Sequence, residues 1–400
     1  MSPVGVFLDH EPVGEIFRTR HRGRERISFR YLDPWLASDA AFEIDPDLPL
    51  DRRTSAPTRG PLFGVLTDAA PDRWGRRLMQ RRERHAAELD GRAVRSLSEL
   101  DYVLGVSDRS RMGALRFEVD GTFVSTSEEV PPLVRLRELL HATTRVVEGE
   151  ETASDLALVL APGSSLGGAR PKASVLDVDG ELCIAKFPRP DDEYSVERWE
   201  MICNSLARAA GIRAAEMRLE TVDERPILVS RRFDRRETHR IHYASAMTML
   251  GLADGDEASY PEIAEVLNRH GSSPGDDLVE LFRRMVFNIC VADVDDHLRN
   301  HGFLRDSRGL RLSPAFDVNP VPMDIRPRVM STAVTPDDFT GSLDAARSSA
   351  PYFDLTPARA EAIIEAVIEA IAGWSTMARR HGASSGECDR MESAFLTSAA

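Results

Sequence analysis

The feature of the sequence that most constrains the fold is an apolar helical segment that ends in a dense polar cluster. Residues 277–292 carry apolar side chains along one stripe, at the spacing of an α-helix. Nine residues follow directly, Asp293-Val-Asp-Asp-His-Leu-Arg-Asn-His301, with three acids, two histidines and one asparagine. Acids are unfavourable at the negative end of a helix dipole, so solvation of a helix end explains them poorly. The cluster therefore indicates a site for chemistry.

The composition narrows the classes of function. The chain has 65 Asp and Glu against 51 Lys and Arg, a net charge of −14, which argues against a protein that mainly coats nucleic-acid phosphates. Its four cysteines form no CxxC pair, which excludes a cysteine zinc site and a small disulfide scaffold. No apolar run approaches the ~20 residues that span a bilayer, and the N-terminus does not resemble a signal peptide. We therefore expect a folded cytoplasmic protein that does not enter a membrane.

A β-rich part precedes a helical part. Short apolar runs predict strands at 4–8, 13–17 and 27–31. The five arginines between 18 and 26 are expected in the second turn, either as a solvated hairpin tip or as a patch that binds a partner or phosphate. A helix with many arginines should begin near Pro71-Asp72 and offer either a solvated face or a docking face for an acidic partner. Two strands, 173–178 and 181–187, are predicted to form a hairpin around a two-residue turn, Asp179-Gly180. Helices are predicted at 133–144, 196–210 and 356–372.

Two segments before residue 190 suit phosphate binding but also have ordinary explanations. The glycines of 163–169 let successive backbone N–H groups face phosphate oxygens, although the same composition suits a flexible loop. Lys186 lies in an apolar strand and needs an anionic partner if it is buried. A nucleotide phosphate, Glu197 or Glu200 would serve, and an edge strand facing water is the alternative.

The polar cluster itself suits phosphoryl transfer. Asp295 can accept a hydroxyl proton, and Asn300 can bind magnesium through its carbonyl oxygen. A hairpin over 302–312 should return Asp317 beside them. The resulting order is glycine-rich segment, strand lysine, helix glutamate, Asp and Asn of one loop, then a second Asp. This is the order of a protein-kinase active site, although His-Arg-Asp and Asp-Phe-Gly are absent.

Several motifs carry a resemblance to a known family. They are Phe63–Asp68, Pro71–Arg76, Arg111–Phe117, Ser165–Lys172, Ile184–Pro188, Val229–Arg235, Asp293–Asn300 and Ala315–Val318. With these motifs in this order over residues 4–320, the chain resembles the HipA family of serine/threonine kinases, the toxins of type II toxin–antitoxin systems. The resemblance implies an α+β, two-lobed, protein-kinase-like fold with an extra N-terminal subdomain and a mostly α-helical C-terminal lobe. We expect the N-terminal subdomain at 1–150, the ATP-binding part at 151–240 and the catalytic lobe at 241–400.

The resemblance also implies roles for individual residues. Asp295 matches the catalytic aspartate, and His297 matches a further active-site position. Asn300 and Asp317 match the ligands of Mg²⁺. Ser165 matches the serine that members of the family autophosphorylate. The matches to the ATP site are Ser165, Leu166, Gly167, Gly168, Lys172, Lys186, Glu200 and Phe233.

The chain departs from the family pattern at two positions. Asp293 stands where the loop usually opens with asparagine, which adds an acid near the metal site. Arg231 stands where an acid usually precedes the hinge, a change that is harmless if this residue offers only its backbone to adenine.

The function implied by the resemblance is that of a growth-arresting toxin associated with persistence. It would phosphorylate a component of the translation machinery, typically an aminoacyl-tRNA synthetase, and a HipB-like helix-turn-helix antitoxin would neutralise it and link it to DNA. Two alternatives stay open: a catalytically idle kinase fold that acts as a scaffold or co-repressor, and a kinase for small molecules.

Overall fold

The computed structural model describes residues 2–21, 24–126, 130–160 and 168–398. The chain divides into two compact units. Unit one comprises Met1–Pro190, Thr221–Arg225 and Val229–Ala253, and unit two comprises Asp191–Glu220, Pro226–Leu228 and Asp254–Ala400. The three-part division expected from the sequence stays a prediction.

The described residues contain strands and helices in mixed order. The strands are β1 Val4–Leu8, β2 Glu11–His21, β3 Arg24–Tyr31, β4 Leu115–Val119, β5 Thr122–Phe123, β6 Lys172–Leu176, β7 Leu182–Lys186, β8 Met217–Val222, β9 Arg225–Arg231, β10 Arg235–Arg236, β11 His239–Arg240, β12 Tyr243–Ser245, β13 Gly302–Arg305 and β14 Leu310–Leu312. The α-helices are α1 Asp33–Leu36, α2 Gly64–Asp68, α3 Arg73–Leu89, α4 Glu99–Gly105, α5 Leu136–Glu148, α6 Ala153–Leu160, α7 Val196–Ala209, α8 Ala246–Met249, α9 Tyr260–His270, α10 Pro274–Cys290, α11 Leu343–Ser349, α12 Pro357–Ala372, α13 Trp374–Arg380 and α14 Ser385–Met391.

The N-terminal sheet of unit one has the strand order β3-β2-β1-β4-β5. Its first three strands confirm the predicted meander, but β2 and β3 extend further and pair as far as His21 and Arg24. The arginines therefore do not all lie at a turn, and that prediction is wrong. Arg18 sits within β2 and forms ion pairs with Glu25 and Asp101, because acids from the neighbouring strand and from α4 are available to it.

Helix α3 begins where the sequence predicts. The Asp72 side chain accepts a hydrogen bond from the Gly75 N–H at 2.7 Å, which is the usual way to satisfy a free donor at a helix start. Trp74 and Leu78 face the interior, whereas Arg73 and Arg77 are exposed. The local cap and the apolar spacing together determine this helix.

Strands β6 and β7 form the predicted antiparallel hairpin in unit one, within a sheet of order β6-β7-β9-β8. The expected two-residue turn is wrong. The Asp177 N–H donates to the Glu181 carbonyl at 2.9 Å, so that three residues, 178–180, form the turn. Gly180 has φ +81°, the left-handed conformation that a three-residue hairpin loop requires at its last position. Lys172 is the direct cross-strand partner of Lys186.

Helix α10 is the centre of unit two. Its apolar stripe is buried, with Phe282, Met285 and Ile289 each fully inside. The helix ends at Cys290, where Ala292 adopts φ +51° and the Asp293 N–H returns to the Asn288 carbonyl at 2.9 Å. This left-handed closure turns the chain directly into the polar cluster. Within the described part of the chain, no helix is long and apolar enough to cross a membrane.

Candidate active site

The loop after α10 holds Asp295 and Asn300 against each other. The Asp295 carbonyl accepts hydrogen bonds from the His297 N–H at 2.8 Å and from the Asn300 side-chain amide at 3.3 Å. The Asn300 amide nitrogen is thereby engaged, which leaves the side-chain carbonyl oxygen for another partner. The Asp295 side chain is 68% exposed, and Arg326 lies 3.8 Å from its carboxylate. The exposed carboxylate can therefore meet a hydroxyl group from solvent or from another molecule.

The segment after the β13–β14 hairpin returns to this loop, as the sequence predicts. The Asn319 N–H donates to the Asp293 carboxylate at 3.3 Å, and its side-chain amide donates to the Asp317 carboxylate at 3.2 Å. Asp317 has φ +60°, an uncommon conformation for a residue other than glycine and one that clusters at functional sites. The Val321 N–H reaches the Ala292 carbonyl at 3.1 Å. These bonds bring the Asp317 segment to the start of the polar loop.

A cavity of about 20 Å³, the size of one water molecule, lies where the two segments meet. Asn300, Asp296 and His301 line it from the polar loop. Phe316 and Val318, which flank Asp317, line it from the returning segment. The cavity therefore places Asn300 close to the two neighbours of Asp317.

A buried network of hydrogen bonds holds Asp296 in the middle of the polar loop. The Tyr260 hydroxyl donates to the Asp296 carboxylate, and His301 Nε2 lies 2.9 Å from the same carboxylate. The Asn288 amide donates to the Tyr260 oxygen at 3.1 Å. Burial alone would raise the pKa of Asp296, but His301 and the hydrogen bonds outweigh it and lower that pKa. Asp296 is thus engaged in holding the loop.

Asp293, the first departure from the family pattern, is almost fully buried. Burial raises the pKa of its carboxyl group well above the ordinary value, and the charges of Asp296, Asp317 and Asp295 act in the same direction. The hydrogen bond from the Asn319 N–H opposes this shift. A protonated Asp293 resembles the asparagine that the family usually has there, because both are neutral and offer a carbonyl oxygen.

The oxygen atoms of this region suit a magnesium ion. Asn300 and Asp317 offer an amide and a carboxylate oxygen, and the buried Asn319 Oδ1 accepts no hydrogen bond from the described residues. Among the described residues, no group of three or more His, Cys, Asp or Glu side chains could hold a metal ion. The few oxygen ligands of Asn300, Asp317 and Asn319 are nevertheless enough for Mg²⁺, because proteins usually bind this ion with one or two carboxylates while waters and substrate phosphates complete its shell.

The predicted nucleotide residues are divided between the two units. Lys186 ends β7, Lys172 begins β6 opposite it, and Gly168 has φ +99° just before β6. These residues belong to unit one, whereas Glu200 is buried on α7 in unit two. Three predicted positions, Ser165, Leu166 and Gly167, lie outside the described residues.

The segment that carries Phe233 is fixed by buried charge. Asp234 is fully buried and accepts hydrogen bonds from Arg232 at 2.7 and 2.5 Å, from Arg235 at 2.6 Å and from the Gly113 N–H at 2.7 Å. Phe233, half-buried, packs near Tyr243 with ring centroids 6.4 Å apart. The backbone around Phe233 is therefore anchored to the Arg111–Phe117 motif.

Arg231, the second departure, lies on the surface. Its guanidinium is 3.2 Å from Glu181 and 3.9 Å from Asp179, on the neighbouring hairpin. The change from an acid to arginine is therefore matched by two acids on the adjacent turn.

Family models match most of the chain. The model described as HipA-like C-terminal domain matches residues 164–374, and the one described as HipA N-terminal domain matches residues 4–118. The chain belongs to the HipA family. The first of these matches covers more than half of the sequence, and the two together include all the motifs that carry the resemblance.

Two curated proteins are similar to parts of the chain. "Putative kinase Y4mE" of Sinorhizobium fredii is 28% identical over 180 residues, which cover 38% of this chain and 41% of that protein. "Putative kinase Y4dM" of the same organism is 28% identical over 146 residues, 32% of this chain and 35% of that protein. The chain thus spans about two fifths of the length of the curated relatives that it matches.

The fold is that of a solved HipA structure. The Shewanella oneidensis MR-1 HipA chain, solved with HipB and operator DNA, superposes with a TM-score of 0.74 at 14% identity, covering 98% of this chain and 94% of that chain. The predicted α+β, protein-kinase-like fold is confirmed.

Some residues that shape the site were not assigned a role from the sequence. Asp72 and Trp74 lie in the Pro71–Arg76 motif, and that motif was the available signal. Asp234 is likewise inside a quoted motif. Tyr260 and Asn288 carry no local signal, because their link to Asp296 depends on how three separate segments pack.

Proposed function

We propose that this chain is an ATP- and Mg²⁺-dependent protein kinase of the HipA type that phosphorylates serine or threonine. The observation that carries the proposal is the convergence of Asp295, Asn300 and the Asp317–Asn319 segment around the end of α10. An exposed carboxylate that can orient a hydroxyl and two oxygen ligands for a metal ion are groups that phosphoryl transfer needs from a protein.

The predicted site residues of unit two would each have a distinct role. The Asp295 carboxylate would orient the acceptor hydroxyl and accept its proton. Asn300 and Asp317 would hold magnesium through their side-chain oxygens. When bound, ATP would supply the phosphoryl group and the metal would neutralise its charge. His297, whose Nδ1 is buried and lacks a hydrogen bond to any described residue, would help to shape the loop.

Residues of unit one would bind the nucleotide. Lys186 would pair with phosphate oxygens, and Phe233 would lie by the adenine on its anchored segment. The glycine-rich segment with Ser165, Leu166, Gly167 and Gly168 would cradle the phosphates through backbone N–H groups. Glu200 would belong to the same ATP site, as the resemblance implies, and Ser165 would be the site of autophosphorylation.

The test is phosphate transfer from labelled ATP to the chain itself and to bacterial lysate proteins. Asp295→Asn should lower the rate by about 10²–10⁴-fold, because a catalytic base and hydroxyl-orienting group is lost. Asp337→Asn is the matched control, since Asp337 is an exposed acid of the same unit. Equal transfer by wild type and Asp295→Asn would refute the role of Asp295.

The substrate and partner follow from the family. We propose a component of translation, of the aminoacyl-tRNA synthetase class, as the substrate, and a HipB-like helix-turn-helix antitoxin that carries the chain to DNA. The Shewanella HipA structure, which contains HipB and operator DNA, supports the second part. Phosphoproteomics of cells expressing wild type or Asp295→Asn would identify the substrate. Growth arrest should occur with wild type alone.

Two other outcomes would redirect the proposal. A chain that binds no ATP with magnesium, measured as the absence of a shift in melting temperature at millimolar nucleotide, would be an idle scaffold or co-repressor. A chain that hydrolyses ATP but labels no protein would favour a small molecule as the acceptor.

A further inference from the structure

A buried ion pair joins helix α3 to the start of β6. Lys172 Nζ lies 2.9 Å from Asp72 Oδ2, and both side chains are only 3% exposed. The other oxygen of the same carboxylate accepts the Gly75 N–H at 2.7 Å and so caps α3. A buried ammonium needs an anion nearby, and Asp72 provides it while it starts the helix.

Trp74 makes a second connection between the same two segments. Its backbone N–H donates to the Gly168 carbonyl at 3.4 Å, and its indole N–H donates to the Lys172 carbonyl at 3.0 Å. Trp74 is itself almost fully buried, so its position is fixed by packing. The first turn of α3 therefore holds both ends of residues 168–172.

The ammonium group of Lys172 lies against Gly168, at the end of the glycine-rich segment. A Cβ atom added to Gly168 would lie 3.2 Å from Lys172 Nζ, so the ammonium rests directly against Gly168. Lys172 and Lys186 are also direct cross-strand partners, with their side chains on one face of the hairpin. Like charges in such a pair repel, and a carboxylate beside one of them reduces the repulsion.

We propose that Asp72 is a positioning residue of the nucleotide site, acting through Lys172. The carboxylate draws the Lys172 ammonium against Gly168, which fixes residues 168–172, at the base of the glycine-rich segment, to α3. This inference rests on the proposed function and deepens it. Asp72 belongs to the N-terminal module, residues 4–118, and would set the geometry of ATP binding without touching ATP.

The test separates the ion pair from the helix cap. Asp72→Ser removes the carboxylate and keeps a good capping oxygen. Asp72→Asn, a second variant, keeps the shape and removes only the charge. Glu151→Gln is the matched control, because it breaks the ion pair with Arg81 that α3 makes two turns later.

Two measurements read the effect. In labelled-ATP assays, Asp72→Ser and Asp72→Asn should raise KM for ATP at least about tenfold and change kcat less than about threefold, since ground-state binding is affected. Hydrogen exchange without nucleotide should speed up at the amides of 168–176 and stay unchanged at those of 78–88. In the exchange measurement, Lys172→Met combined with Asp72→Ser should speed exchange at 168–176 no more than Asp72→Ser alone, because the two groups act as a pair.

The failure of this inference differs from that of the proposed function. If wild type neither binds nor transfers phosphate from ATP, the proposed function falls, and exchange at 168–176 still tests the connection. Unchanged KM and unchanged exchange in both Asp72 variants would overturn the inference. So would equal losses in Glu151→Gln, because any weakened contact of α3 would then have the same effect.

Discussion

Asp234 provides the most demanding test of the structure. It is fully buried in unit one, where it faces the guanidinium groups of Arg232 and Arg235 and the backbone N–H of Gly113. Asp234→Asn keeps the shape and one carbonyl oxygen, but it places an amide donor against positive charge. Two buried cations then lose their anion.

The expected loss can be worked out from the contacts and from the pKa. Removal of one partner of a buried ion pair costs about 3–5 kcal/mol, and we expect about 3 kcal/mol near pH 7, because asparagine keeps one acceptor. Burial alone would raise the pKa of Asp234, but the charges of Arg232 and Arg235 and the hydrogen bonds lower it to about 2. Against about 3.9 in the unfolded chain, this difference corresponds to about 2.6 kcal/mol of stability above both values.

The sign of the pH dependence follows. A carboxyl group with a lowered pKa stabilises the folded state above its unfolded pKa, and that stability is lost as the pH falls through the folded value. At about pH 3 the contribution should be about 1.3 kcal/mol smaller than at neutral pH. The difference in unfolding free energy between wild type and Asp234→Asn should therefore shrink by about that amount.

The assay is urea unfolding of both proteins at about pH 7 and pH 3, followed by tryptophan fluorescence. The control is Asp223→Asn, an acid of the same unit that is 38% exposed and pairs with Arg137 and His141. Exposed pairs contribute about 0–1 kcal/mol, so the control should change little at either pH. A loss below about 1 kcal/mol for Asp234→Asn near neutral pH, or a loss independent of pH, would refute the reasoning.

Three further variants test unit two. Asp293→Asn should raise the melting temperature at about pH 8, because burial raises the pKa of Asp293. The stabilisation that the protonated Asp293 contributes is complete below the unfolded pKa of about 4 and is lost as the pH rises through the folded pKa. Calorimetry at about pH 5 and pH 8 checks this, and a gain that is larger at the lower pH would contradict it. Tyr260→Phe should cost about 1–3 kcal/mol in urea unfolding, because Asp296 and Asn288 each lose a buried partner. Arg326→Ala should leave the unfolding free energy within about 0.5 kcal/mol, because its pairing with Asp295 is mostly exposed; a larger loss would mean that the pair supports the loop.

The sequence predicts best where the determinants are local. The start of α3 follows from Asp72 as a cap and from apolar spacing, and α12 begins after Thr356 for the same reason. The position of Asp295 after α10 depends on one long apolar stripe. Such elements are specified by residues within a few turns, so pattern and structure agree on their position within a few residues.

The parts that sequence reasoning missed depend on distant residues. The arginines near residue 20 are wrongly predicted at a turn, because a partner such as Asp101 lies far along the chain from them. The pair Asp72–Lys172 joins residues one hundred positions apart. Local spacing contains no information about such contacts. They decide which polar residues are buried, and hence which of them shape the site.

The N-terminal module contacts the proposed nucleotide-binding region within unit one. Two motifs of the module end in contacts with that region: Asp72 with Lys172, and the Gly113 N–H with Asp234. Both contacts are buried and charged, and a buried charge that loses its partner is costly. A chain that began near residue 151 would retain Lys172 and Asp234 but lack both partners. The segment proposed to bind ATP therefore needs residues of the N-terminal module for its stability, although sequence motifs alone suggest a separable domain.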